Sequence, residues 1–403
     1  MIVLLKLQRL LTFFLSFILV FLMLASAAFS AEEVLTLEEA KEMARGSRGL
    51  MQSELDAEKA KFEYYQAQKN YDDVKTPSYY NLLPYYFYLN EQKDQGINVD
   101  EQLKNVEKQI SDAKGKLDAE ADKAASARDT MESREIAYED SKASKEKSEK
   151  QLDYQVEQMY TSILVQEDKM ISMHKELDYK YNLLNIERKK LKLGNSTQEK
   201  VDKLAVDTSN FNKSIVEANN SLKNLKGKLN DLLGRDYDVG LKLVPFSVNE
   251  VVVIPVYNNL LPLATQNYDK LSQLEKNIEE RKKDLDDDAV KDTAYQSDLI
   301  KIEIKKLELQ IEDEKIKLKE TINNLITDMN IKQKNYQLAK IDWENTQKNY
   351  ERSQKRFGLG LISKLELLQS ELDYLAGKNK YMSIGYDFSL AQNNLELVKQ
   401  GIL

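Results

Sequence analysis

The chain contains no cysteine. That excludes disulfides, thiolate metal sites, a cysteine nucleophile and a lipid-attachment cysteine. Turn residues are nearly as scarce, with 13 Gly and 5 Pro in 403 residues. Compact α/β and all-β domains need a turn residue every few positions, and this chain does not supply them. Positive charge is not in excess either: 59 Lys+Arg stand against 67 Asp+Glu, for a net charge of -8. No basic surface is available to neutralise a nucleic-acid backbone. The one histidine, His174, lies mid-helix, where a lone imidazole is a packed or surface residue rather than a ligand. The acidic run Asp286-Asp287-Asp288 reads as a solvated helix face rather than a cation site. The sequence holds no phosphate loop, nucleophile elbow or zinc spacing. No enzyme activity, catalytic residue, cofactor or metal is therefore expected.

What is present suits long helices. Apolar residues make up 42% of the chain and charged residues 31%, enough to give each helix one buried stripe but not a thick core. At the N-terminus Lys6 and Arg9 precede an apolar run from Leu10 to about Ala28, followed by small and then acidic residues. This is the order of a secretory signal peptide cleaved after Ala28 or Ser30. The run is long for such a segment, so a retained membrane anchor is the alternative. Either way the remainder lies outside the cytoplasm.

An internal repeat organises the rest. The heptad series Ile322, Met329, Tyr336, Trp343, Tyr350, Phe357 reappears 166 residues earlier as Val156, Ile163, Met170, Leu177, Leu184, Leu191. Each series reaches a glycine at the same offset, Gly360 and Gly194. Beyond the glycines, Leu367, Tyr374, Tyr381, Phe388 and Leu395 match Val201, Thr208, Ile215, Leu222 and Leu229 in the same register. Strict seven-residue spacing marks an apolar seam that follows a supercoiled neighbour. Bulky Trp343 and Tyr350 stand three positions before small Thr346 and Ser353, a pattern suited to close helix approach and core packing. Each repeat thus reads as a long helix in, a glycine turn, and a helix back. The incoming helix of the second copy is expected from Leu299 to Phe357, with the returning helix from Ser363 to Gln400. Further helices, Val256 to Leu285 and Leu37 to Val74, make up the missing length of each copy. Within them Ala44-Arg45-Gly46-Ser47 weakly matches Ala264-Thr265-Gln266-Asn267.

The second turn reads Arg356, Phe357, Gly358, Leu359, Gly360, Leu361, Ile362, Ser363. Its glycines supply left-handed backbone, and Ser363 can cap the next helix. The segment from Arg356 through Leu367-Leu368-Gln369 resembles the signature of the TolC-type outer-membrane efflux proteins. Lys190 to Thr197, Leu232-Leu233-Gly234, Leu35 to Ala40 and the leader resemble it less specifically. The repeat together with the resemblance gives an all-α fold of duplicated long antiparallel coiled-coil hairpins, as in the TolC α-barrel, and this chain's own residues leave room for at most a short strand pair between repeats. The resemblance implies a homotrimeric passive tunnel in the outer membrane, working with a periplasmic adaptor (membrane fusion protein) and an inner-membrane transporter. It also implies that the turns are adaptor-contacting tips: Arg356, Phe357, Gly358, Leu359, Gly360, Leu361, Ile362 and Ser363, with Leu193 and Gly194 as weaker equivalents. A structural or adhesive coiled-coil scaffold of the envelope is the other reading of the same hairpins.

The chain departs from the family where barrel strands belong. Asp286 to Ser297 is short and polar, and Ser78 to Leu89 is apolar but interrupted by Pro84, so no family-type β-barrel is expected. The organisation read is residues 1–30 as signal peptide, 31–236 as first repeat with an insertion at about 76–127, 237–255 as strap, and 256–403 as second repeat. From Val99 the insertion suits continuous helix. Tyr79 to Leu89 reads as a membrane or envelope contact, or as a cap on the helix ends. In the strap, Leu241–Val244 and Val251–Ile254 read as short strands or an extended run.

Overall fold

A computed structural model describes residues 33–73, 82–250, 252–286 and 295–402. The leader, Tyr79, Tyr80, Asp287 and Asp288 lie outside these residues. In chain order the elements are β1 (Glu33–Leu35), α1 (Leu37–Arg45), α2 (Arg48–Asp72), α3 (Leu83–Asp94) and α4 (Asp100–Lys192). They continue with α5 (Gln198–Leu232), β2 (Leu241–Leu243), α6 (Tyr257–Asn267), α7 (Asp269–Asp286), α8 (Gln296–Gly358) and α9 (Lys364–Lys399). The fold is all-α with one short strand pair, as the periodicity and scarce turns predict. The chain divides into two compact units, one of residues 1–49 with 150–403 and one of Leu50–Glu149.

In the first unit the heptad seam forms the core. Ile322, Met329 and Tyr336 of α8 are buried with Phe388, Ala391, Leu395 and Val398 of α9 and with Leu260, Ala264 and Leu271 of α6 and α7. Each fully buried Leu, Ile or Met contributes roughly 1.5–3 kcal/mol. Toward the turn the seam becomes a ladder of stacked rings. Trp343 lies 4.8 Å from Tyr381, and Tyr350 lies 5.4 Å from Tyr374. Close approach depends on Gly377, where a Cβ would come within 2.5 Å of Thr346 Oγ1. The first repeat buries Val156, Ile163 and Leu184 of α4 in the same way.

The two repeats meet along α4 and α9 through polar contacts. Lys378 pairs with Asp168 (3.2 Å), Asn379 donates to Ser172 Oγ (2.7 Å), and Lys175 pairs with Glu371 (2.9 Å). Deeper, the buried Glu157 carboxylate accepts from Ser389 (3.1 Å) and Asn393 (2.5 Å) of α9 and pairs with Lys41 of α1 (3.0 Å).

The first apolar run of the strap forms a short strand, as expected. β2 pairs in parallel with β1, Val34 opposite Lys242, rather than with the second apolar run. Residues 252–254 carry no regular secondary structure, and Val251 lies outside the described residues. The buried Tyr160 hydroxyl of α4 fixes the pair. It lies 2.8 Å from Leu35 O and 2.7 Å from Val244 O, and accepts from Val244 N at 2.9 Å. Burial pushes this phenol up to about 12.

The extra helices are also interrupted. Leu37–Asp72 breaks at Gly46-Ser47, and the second-copy counterpart breaks at Tyr268, whose backbone is extended. Both breaks follow a fully buried alanine, Ala44 or Ala264.

In the second unit, α2 and α4 are tied by Glu63–Arg134 (2.7 Å), Glu54–Lys145 (3.0 Å) and stacked Tyr64 and Tyr138. Leu83–Leu89 is helical, because Leu89 finds an apolar bed on Val99, just before α4, and on Leu103 and Val106 of α4. β1 and β2 are the only strands among the described residues.

Candidate functional site: the hairpin tips

The ends of α8 and α4 close in the same way. Gly360 (φ +70°) donates to Phe357 O at 2.9 Å, and Leu361 N donates to Arg356 O at 2.9 Å. Gly194 (φ +78°) donates to Leu191 O at 2.9 Å, and Asn195 N donates to Lys190 O at 2.8 Å. This Schellman pair satisfies the last carbonyls of a helix and needs left-handed backbone at the residue after it, which glycine adopts without strain. Every one of these atoms obeys the 166-residue offset.

The returning helices begin at the same offset, on Thr197 and Ser363, but with different chemistry. Ser363 Oγ accepts from Glu366 N (3.2 Å), and Glu366 returns a bond from Ser363 N (2.7 Å). This capping box holds the Glu366 carboxyl below its ordinary range. Thr197 accepts from Lys200 N at 3.4 Å, and a lysine at that position cannot reciprocate. The first tip is closed instead by Glu187, only 3% exposed. It accepts from Ser196 (2.6 Å) and pairs with Lys200 (3.1 Å) and Lys190 (3.3 Å). These contacts, led by Ser196, hold Glu187 at about 2. At the same offset the second repeat has Ser353, so nothing in the repeat pointed to Glu187.

Arg356, Phe357 and Gly358 end α8, Leu359 to Ser363 form the turn that follows, and Leu193-Gly194 lie in the other turn. Leu359 is 74% exposed, Leu361 65% and Leu193 75%. Ile362 is half-buried, and Phe357 lies 5.8 Å from the Lys364 ammonium. Three leucines thus stand exposed to water on the two turns. Among the described residues no group of three His, Asp or Glu could hold a metal ion, and His174 is exposed. A cavity of about 660 Å³ opens between α2 and α4 and is lined by residues such as Gln66, Asn70 and Thr130.

The long paired helices, duplicated turns and short strand pair define the TolC-like helical fold of outer-membrane channels. Among solved structures, the chain is similar to CusC, a transmembrane channel, with a TM-score of 0.53 and 14% identity over 91% of this chain and 95% of that one. It is equally similar to the open-state MtrE outer membrane channel of Neisseria gonorrhoeae, with a TM-score of 0.53, 12% identity and coverage of 91% and 89%. A membrane protein from Pseudomonas aeruginosa matches with a TM-score of 0.52 and 10% identity over 91% and 90%. At such identities the likeness is one of fold. No family model and no curated protein matches the sequence.

Proposed function

We propose that the chain is the passive outer conduit of an envelope export system. Three copies close a tunnel, and the tips seat on a periplasmic adaptor that joins an inner-membrane transporter. The carrying observation is the pair of exposed leucine-bearing turns, built alike at the ends of the long helices, on a fold used by outer-membrane channels. Assembly is supported by the two flanks. α4 and α9 pack on each other, whereas Val206 and Val216 of α5 and Ile331, Leu338 and Ile341 of α8 stand exposed. One subunit's two hairpins cannot enclose a tunnel, and these apolar flanks suit contact with neighbouring copies. The place of action is the cell envelope, at the outer membrane.

Light scattering on the exported protein is expected to give a trimer. A strict monomer at high concentration, in both detergent and buffer, overturns the conduit. Leu359→Asp with Leu361→Asp is expected to leave the trimer and its helicity intact while abolishing adaptor binding and export. Unchanged binding and export in that variant removes the tip assignment and favours the envelope scaffold.

A further inference from the structure

The second compact unit carries an aromatic surface that a tunnel does not require. Residues 76–90 contain no charged side chain, in a chain that is 31% charged. α3 begins within this run and places Pro84 in its first turn. Its rotation is fixed by Leu89, 2% exposed, and half-buried Tyr86, which pack on Val99, Leu103, Val106 and Ile110. That anchoring turns Tyr85, Phe87 and Tyr88 outward, at 49%, 65% and 54% exposure. The Tyr85 and Tyr88 rings stack at 6.5 Å, so two of the three form a continuous patch. The chain turns back into α4 through Gly96, whose φ is +83°.

We infer that Tyr85, Phe87 and Tyr88 of α3 enter the headgroup boundary of a zwitterionic lipid bilayer. Tyrosine suits that boundary because its ring is apolar and its hydroxyl reaches water and headgroups. A helix of 12 residues spans about 18 Å and cannot cross a hydrocarbon core of about 30 Å, so the contact is shallow. Charge selects the lipid. Glu91 and Asp94 follow the rings, and Lys93 is paired with Asp100 at 2.8 Å, so anionic headgroups are not attracted. Charge also argues against a protein occupant. No ionised group between Thr76 and Asn90 is available to set a partner's register, and a fluid interface needs none.

The inference does not rest on the tunnel. It is tested with Tyr88→Trp in the full chain, the native chain with its single Trp343 serving as baseline. On phosphatidylcholine vesicles the Tyr88→Trp emission is expected to shift to the blue and to be quenched by brominated phosphatidylcholine. The response should be unchanged by salt or by added phosphatidylglycerol. Adding Tyr85→Ser and Phe87→Ser should abolish it. Absence of any shift at lipid excess overturns the inference. So does a shift that needs anionic lipid, or one that grows with protein concentration in vesicle-free buffer, which marks contact between copies. The tip variants Leu359→Asp and Leu361→Asp should leave all of these readouts unmoved.

Discussion

Ser47 and Asn267 hold the same post in the two repeats. Each donates a side-chain hydrogen bond of 2.8 Å to the last carbonyl of its returning helix, Leu232 O in one and Lys399 O in the other. The glycines beyond those carbonyls, Gly234 and Gly401, are both left-handed, at φ +73° and +75°. In both repeats the residue at the helix break therefore caps the end of the returning helix. Ser47→Ala and Asn267→Ala are each expected to cost about 1 kcal/mol, the value of one such bond. Gly234→Ala should cost about 1–2 kcal/mol for left-handed backbone, with Ser47 Cβ only 3.2 Å from the added methyl. Gly401→Ala should cost more, because its methyl would fall on the Asn267 carbonyl. Urea midpoints followed by circular dichroism rank the four. Equal costs at the two glycines would refute the packing argument.

This equivalence was faintly legible beforehand. Ala44-Arg45-Gly46-Ser47 and Ala264-Thr265-Gln266-Asn267 share only the alanine, and a serine and an asparagine do the same job with different atoms. The heptad seam was far plainer, because burial of Ile322, Met329 and Tyr336 demands apolar residues at fixed spacing. Turn geometry was legible for a related reason, since left-handed backbone at Gly194 and Gly360 demands glycine. The breaks at Gly46-Ser47 and Tyr268 were not, because they answer to tertiary capping rather than to local propensity. Ser78 to Leu89 reads as an apolar run broken by Pro84, and its described part from Leu83 is helix, because Leu89 packs back on Val99, Leu103 and Val106 across the Gly96 turn. Glu187 was invisible among so many charges. Its importance lies in being buried, and the repeat puts Ser353 in its place.

Glu157 supplies a second test, at the junction of the repeats. Its carboxylate is 1% exposed, and Lys41 is its cationic partner at 3.0 Å. Removing the cation leaves a buried carboxylate with Ser389 and Asn393 alone. Lys41→Met is therefore expected to cost about 3 kcal/mol, near the lower bound for stranding one member of a buried pair. Combining it with Glu157→Gln removes the stranded charge while keeping the amide's hydrogen-bonding capacity, and should recover much of the loss. A double-mutant cycle by urea unfolding reads the coupling. Additive single costs would show that the pair contributes nothing beyond its packing.

Glu187 makes the two tips respond differently to acid. Its folded pKa of about 2 lies below its ordinary value of 4.5, through Ser196 first and then Lys200 and Lys190. Its stabilisation is therefore complete above pH 4.5 and is lost as pH falls from there toward 2. Glu366 at the second tip is shifted the same way by Ser363, but it bonds a backbone N–H rather than two lysines. Protonation thus releases the first tip's cross-links to α5, whereas the second keeps the Ser363 bond from Glu366 N. Hydrogen exchange of the Leu193, Gly194 and Asn195 amides, compared with Leu359, Gly360 and Leu361, measures the difference. Protection at the first set should fall more steeply between pH 4.5 and 2. Glu187→Gln should lower that protection at pH 6 and flatten its dependence on pH, leaving the second set untouched. If the Gln variant keeps the steep acid profile, another carboxylate governs the first tip.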